Sequence, residues 1–133
     1  MKHYDVVCAL IENEKGEIFC TKRGPGRALE GFWEFPGGKV EANETKEETI
    51  VREIKEELNS LVEPLEYIGE SSYEYTNLGE YPDFGITLYA YRCKLISGHL
   101  ELSEHTDAKW VKKEELSTLK FAKADDPFVT YFG

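Results

Sequence analysis

A chain of 133 residues with 41% hydrophobic and 13% aromatic content can bury one core and is too short for two, so residues 1–133 are expected to form a single domain. A formal net charge of −10 excludes DNA, RNA and anionic membranes as favoured partners, and any polyphosphate bound here would need a cation as intermediary. The apolar run at residues 6–11 is far below the roughly 20 residues of a membrane span, and Cys8, Cys20 and Cys93 lie among apolar residues without CxxC spacing; both features predict a cytoplasmic protein with reduced core thiols.

In chain order, residues 4–11 and 18–22 are rich in Val, Ile, Phe and Cys and predict two strands, the first buried on both faces. Asn13-Glu14-Lys15-Gly16 between them supplies turn chemistry for a hairpin. Gly24, Pro25, Gly26, Gly31, Pro36, Gly37 and Gly38 exclude a long helix from residues 23–38 and predict a shaped loop with a short strand at 32–35. Over residues 45–58 the period becomes helical: Ile50, Ile54 and Leu58 share one face, and Thr45 with Glu48 fits a capping box. Residues 65–75 and 86–96 predict long strands divided by Asn77-Leu78-Gly79, residues 109–111 a short strand, 112–119 a helix, and 124–132 a partial helix. No internal repeat or linker interrupts this order, which predicts an α/β (α+β) architecture, a mixed sheet with flanking helices.

Glu53, Glu56 and Glu57 stand at i, i+3 and i+4, so three carboxylates share one helix face. Such a face is ordinarily a solvated one, here with Lys46, Arg52 and Lys55 as counter-charge. A hard divalent cation, however, takes oxygen ligands from one or two carboxylates together with substrate phosphates. Gly37 and Gly38 lie upstream, where missing side chains let backbone approach a metal or phosphate closely.

The order Gly38, five residues, Glu44, seven residues, Arg52-Glu53-Ile54, one residue, Glu56-Glu57 closely resembles the signature box of the Nudix hydrolases. Asn59 and Ser60 stand where that family usually has glycine and an aliphatic residue; Asn tolerates the left-handed helix terminus, so the cap is expected to survive. The resemblance implies a mixed curved β-sheet sandwiched between α-helices. It also implies Mg²⁺, with Mn²⁺ as the alternative, held by Gly38, Glu53, Glu56 and Glu57, with Glu44 and Arg52 paired as structural support. Glu53 is the first choice of general base; Glu104, six residues before Trp110 as in the MutT-like branch, is the alternative base or a further metal ligand. His105 beside it is left outside the site.

Three further segments, residues 31–38, Tyr81-Pro82-Asp83 ahead of 86–88, and Ala124-Asp125-Asp126-Pro127, resemble the MutT-type and cytidine-triphosphate-type nucleoside triphosphate pyrophosphohydrolases. Phe35 and Tyr81 offer flat surfaces to a base, equally readable as core aromatics; Asp83 lies beside Tyr81, and Arg23 with Lys22 offers phosphate contacts or solvated charge. Ionised, Asp125 suits the amine of cytosine or the N7 hydrogen of 8-oxoguanine but repels guanine O6 unless protonated, so both base classes stay open. The implied function is Mg²⁺-dependent conversion of a (deoxy)nucleoside triphosphate to monophosphate and pyrophosphate. The target would be 8-oxo-dGTP or a modified or cytidine triphosphate, in nucleotide-pool sanitation and DNA repair. The alternatives are a hydrolase of ADP-ribose or another nucleoside diphosphate derivative, and a non-catalytic nucleotide-binding module. The expected partner is a small nucleotide, for a monomer or homodimer.

Overall fold

The computed structural model describes residues 1–100 and 105–132, the side chains of residues 105, 106 and 132 apart. In chain order it contains β1 (Lys2–Ile11), β2 (Glu17–Arg23), β3 (Trp33–Glu34), β4 (Gly37–Lys39), α1 (Lys46–Leu58), β5 (Leu61–Tyr75), β6 (Phe84–Ser97), β7 (His105–Lys112), a 3-10 segment (Lys113–Thr118), α2 (Asp126–Val129) and a 3-10 turn (Thr130–Phe132). A four-stranded sheet runs β4-β1-β6-β5, with β1 parallel to β6 and the other pairs antiparallel. The antiparallel strands β3-β2-β7 form a second sheet. Among the described residues no helix is long and apolar enough to cross a membrane.

The mixed α+β class follows the expectation, and the division into two sheets explains why β1 is apolar on both faces. Cys8 and Leu10 point into one core with Ile18, Cys20, Phe35, Tyr75 and Leu88. Val7, Ala9 and Ile11 point into the other with Phe19, Val62 and the Ile50, Ile54, Leu58 stripe of α1. Both edges of β1 are taken, by β4 and by β6.

That arrangement corrects the expected hairpin. The turn forms as its residues predict: the Asn13 side-chain oxygen accepts from the Lys15 and Glu17 N–H groups, each at 2.9 Å, and Gly16 adopts φ +77°. Beyond an isolated bridge between Glu12 and Ile18, however, β1 and β2 part into different sheets. Residues 113–118 likewise wind as a 3-10 helix where an α-helix was expected; the segment is short, buries only Leu116, and stops at Leu119 in extended backbone. Strand β5 starts at Leu61, earlier than the pattern suggested, because Pro64 is tolerated on an edge strand and coincides with a register shift.

Candidate functional site

The site grows from the junction of β4 and α1. Pairing of β4 with β1 sets Gly37 opposite Cys8 and Gly38 opposite Val7. A Cβ on Gly37 would overlap the Val7 carbonyl, and one on Gly38 would overlap the Glu53 carboxyl, so both glycines are required by close approach. Helix α1 then starts with the predicted capping box: Thr45 Oγ1 accepts from Glu48 N at 3.1 Å, and Glu48 Oε1 accepts from Thr45 N at 2.8 Å. It ends at Asn59 in the left-handed conformation (φ 47°), its N–H donating to the Lys55 carbonyl.

Arg52 is the hub. Its Nε donates to Glu44 Oε2 at 2.6 Å and its Nη2 to Glu44 Oε1 at 3.1 Å and to the Lys39 carbonyl at 3.2 Å. Its Nη1 donates to Glu53 Oε1 at 2.8 Å and to Glu56 Oε2 at 3.2 Å. Two of the three clustered carboxylates are therefore compensated by one guanidinium, whose fixed fork suits several acceptors at once. The buried Thr49 adds a hydroxyl donation to Glu44 Oε1 at 2.8 Å. Arg52 first, then Thr49, hold the Glu44 carboxyl down at about 2, and Glu44 raises the Arg52 pKa in return.

Glu53 is 14% exposed and Glu56 60%, which makes Glu53 the more desolvated of the two carboxylates. Glu53 meets Arg52 through Oε1, and its Oε2 lies against Gly38, in the space a Cβ would fill. Glu56 meets Arg52 through Oε2. Among the described residues no three His, Cys, Asp or Glu side chains converge as a preformed metal centre. The donor chemistry still fits a hard divalent cation: carboxylates with an oxygen not given to Arg52, next to a bare glycine backbone. Glu57 is half-buried on the same helix, and Glu104 lies outside the described residues.

From Gly38 a cleft of about 720 Å³ opens across the face of β1 and β6, and Arg23, Phe35, Gly38, Tyr81, Asp83 and Asp125 all line it. Phe35 is both core and wall: 3% exposed, it stacks on Phe121 with centroids 4.9 Å apart. Tyr81 is half-buried, and Asp83 exposed, on the segment before β6. Arg23 does not reach out as a bare cation; its Nε donates to the Ala28 carbonyl at 2.7 Å and its Nη1 pairs with Glu34 at 3.2 Å. Asp125, 5% exposed, accepts from the Phe35 N–H through Oδ2 at 3.0 Å. Burial, then the Glu34 charge, push its carboxyl well above the usual range, against the pull of the Phe35 N–H and Arg23.

Sequence reading missed Thr49 and, in the cleft, Tyr4, Arg27, Leu29, Tyr75 and Phe84. Thr49 carries no signal beyond a polar residue one position before the apolar Ile50, and the aromatic cleft residues sit at strand ends where pattern implies only core. The thiols of Cys8, Cys20 and Cys93 are free and buried, and burial raises all three, so they are core groups rather than nucleophiles.

The family described as NUDIX domain matches residues 1–132. The 8-oxo-dGTP diphosphatase of Escherichia coli (strain K12) is 33% identical over 135 residues, covering 97% of this chain and 95% of that protein. The CTP pyrophosphohydrolase of the same organism is 34% identical over 132 residues, covering 99% and 93%. The crystal structure of a MutT protein from Methanosarcina mazei Go1 superposes with a TM-score of 0.84 at 28% identity, covering 98% of this chain and 93% of that one.

Proposed function

This chain belongs to the NUDIX family, and on that premise we propose that it hydrolyses a (deoxy)nucleoside triphosphate to the monophosphate and pyrophosphate in a Mg²⁺-dependent reaction, Mn²⁺ being the alternative ion. It is an enzyme acting on phosphoric anhydride bonds, as its named relatives are pyrophosphohydrolases of full-length similarity. The observation that carries the reading is the Arg52 hub holding Glu53 against Gly38, a residue that lines the same cleft as Phe35 and Asp125.

Glu53, Glu56, Glu57 and the Gly38 carbonyl would hold the cation, with Glu104 as a further ligand. When bound, the ion supplies charge neutralisation for the phosphate chain and makes water a better nucleophile at neutral pH. Glu53 acts as general base and accepts the proton of the attacking water; its desolvation and its orientation by Arg52 suit that role. Arg52 and Glu44 fix the geometry without touching the reacting atoms, since the whole guanidinium fork is committed to the loop and helix. Arg23, once drawn from Glu34 by a more highly charged partner, offers its guanidinium to the phosphates.

Phe35, Tyr81 and Asp83 border the base, and Asp125 reads its edge. With Oδ2 given to the Phe35 N–H, the other Asp125 oxygen donates to a carbonyl when protonated and accepts from an amine when ionised. Oxidised guanine and cytosine nucleotides are therefore the substrates to try first, in a cytoplasmic role of clearing damaged or surplus triphosphates. Incubation of a triphosphate panel with Mg²⁺, with products resolved by chromatography, tests the reading. Pyrophosphate with monophosphate is the expected outcome; inorganic phosphate with diphosphate, or cleavage confined to ADP-ribose, would overturn it.

A further inference from the structure

The cleft beside Asp125 carries a second buried polar group that pattern reading did not single out. Tyr75, the last residue of β5, is 6% exposed and lines the cleft with Phe84, their ring centroids 5.1 Å apart and their planes tilted by 32°. Its hydroxyl accepts a hydrogen bond from the Ala124 N–H at 2.9 Å. Burial raises the phenol to about 12, so it stays neutral and keeps its proton. A backbone N–H can only donate, so that proton takes no part in the bond to Ala124, and among the described residues no hydrogen bond accepts it. Tyr75 lines the cleft, so a bound ligand can supply the acceptor for that proton.

The neighbouring carboxyl is built the same way. Asp125 spends one oxygen on the Phe35 N–H, as Tyr75 spends its lone pair on the Ala124 N–H. The two bonds thereby tie the Ala124–Asp125 segment to Phe35 and to the end of β5, while each side chain keeps one hydrogen-bonding function for a ligand. Phe35, Tyr81 and Phe84 around them are aromatic, so the ligand part that belongs here is flat, apolar on its faces and polar at its edge.

We propose that Tyr75 is a specificity-determining residue, its hydroxyl donating a hydrogen bond to a carbonyl oxygen on the edge of the bound nucleobase. This rests on the nucleotide reading given above. A keto oxygen projects from the ring and presents two lone pairs to a hydroxyl held on the cleft wall. Adenine offers only recessed ring nitrogens beside a donor amine. The site therefore favours guanine, 8-oxoguanine, cytosine or uracil over adenine.

The test is kcat/KM of the wild type and of Tyr75→Phe for triphosphates of guanine, 8-oxoguanine, cytosine, uracil, adenine and 2-aminopurine. The variant is expected to lose about tenfold more on the keto substrates than on adenine and 2-aminopurine, mostly through KM. Losing the acceptor for Ala124 alone would lower every base alike, so an equal fall across the panel overturns the proposal, as does no change. Should the variant fail to fold, the wild type decides: exchanging guanine for 2-aminopurine, which lacks the 6-carbonyl, is expected to cost the same tenfold, and equal turnover overturns the proposal. If the wild type cleaves no nucleotide of the panel, the nucleotide reading itself falls, a result distinct from either.

Discussion

At the scale of single residues, the shared face of Glu53, Glu56 and Glu57 was legible before any coordinates, because side chains three and four apart on a helix are neighbours, whereas the pairing of Glu44 with Arg52, eight residues apart across the helix start, was expected only from the family resemblance. What spacing could not convey is that Arg52 serves several carboxylates at once, or that Glu53 rests on bare glycine backbone. Glu53→Gln keeps an acceptor for Arg52 while deleting the base. Turnover is expected to fall by about 10²- to 10⁴-fold with an unchanged circular dichroism spectrum, and near-normal rates would turn attention to Glu104. Glu44 makes a prediction in pH. Its carboxyl titrates at about 2 when folded against 4.5 in an ordinary environment, so the stability it contributes is complete above pH 4.5 and is lost as pH falls towards 2. Urea midpoints measured across that window should therefore drop less steeply in Glu44→Gln than in the wild type. A parallel profile would mean that the Arg52 contact does not hold in solution. Asp125 has the opposite sign: its raised carboxyl favours the fold most below its ordinary value of 3.8, and that advantage is lost as pH rises through the folded pKa. Asp125→Asn is expected to flatten this part of the profile.

Elements differ in how plainly they announce themselves. Helix α1 was legible from both ends, since Thr45, Glu48 and Asn59 are cap chemistry and the Ile50, Ile54, Leu58 stripe is periodic. Local chemistry likewise marks the Asn13 to Gly16 turn, but whether two strands joined by a turn stay paired depends on which other edges compete for them. Here β4 and β6, distant in sequence, take both edges of β1. The β4 element supplies a paired test. Gly37→Ala drives a methyl into the Val7 carbonyl, a backbone atom that cannot yield, and is expected to destabilise the fold by about 1–3 kcal/mol. Gly38→Ala meets the Glu53 side chain first, which can shift where backbone cannot; stability should fall less than in Gly37→Ala while turnover falls about 10²-fold as the carboxyl is displaced. Thermal melts and rates of the two variants separate the roles, and equal behaviour in both assays would contradict them.

For the whole molecule, the two sheets leave β1 shared between two cores, and the cleft runs from the Gly38 end of β4 over the shared strand to the segment around Asp125. Composition foretold an acidic domain unable to meet a polyphosphate without a cation, and the structure sharpens this: the cation nearest the clustered glutamates, Arg52, is spent on the protein itself. The wall of the cleft was harder to read, because Tyr75, Phe84 and Leu29 come from separate strands and loops and look like core until folded together. Titration of Mn²⁺ by its electron paramagnetic resonance signal, with a non-hydrolysable triphosphate present, tests the central claim most directly. Bound ion in the wild type, with affinity weakened at least about tenfold in Glu56→Gln and Glu57→Gln, is the predicted result; no bound ion, or binding indifferent to both substitutions, would contradict it.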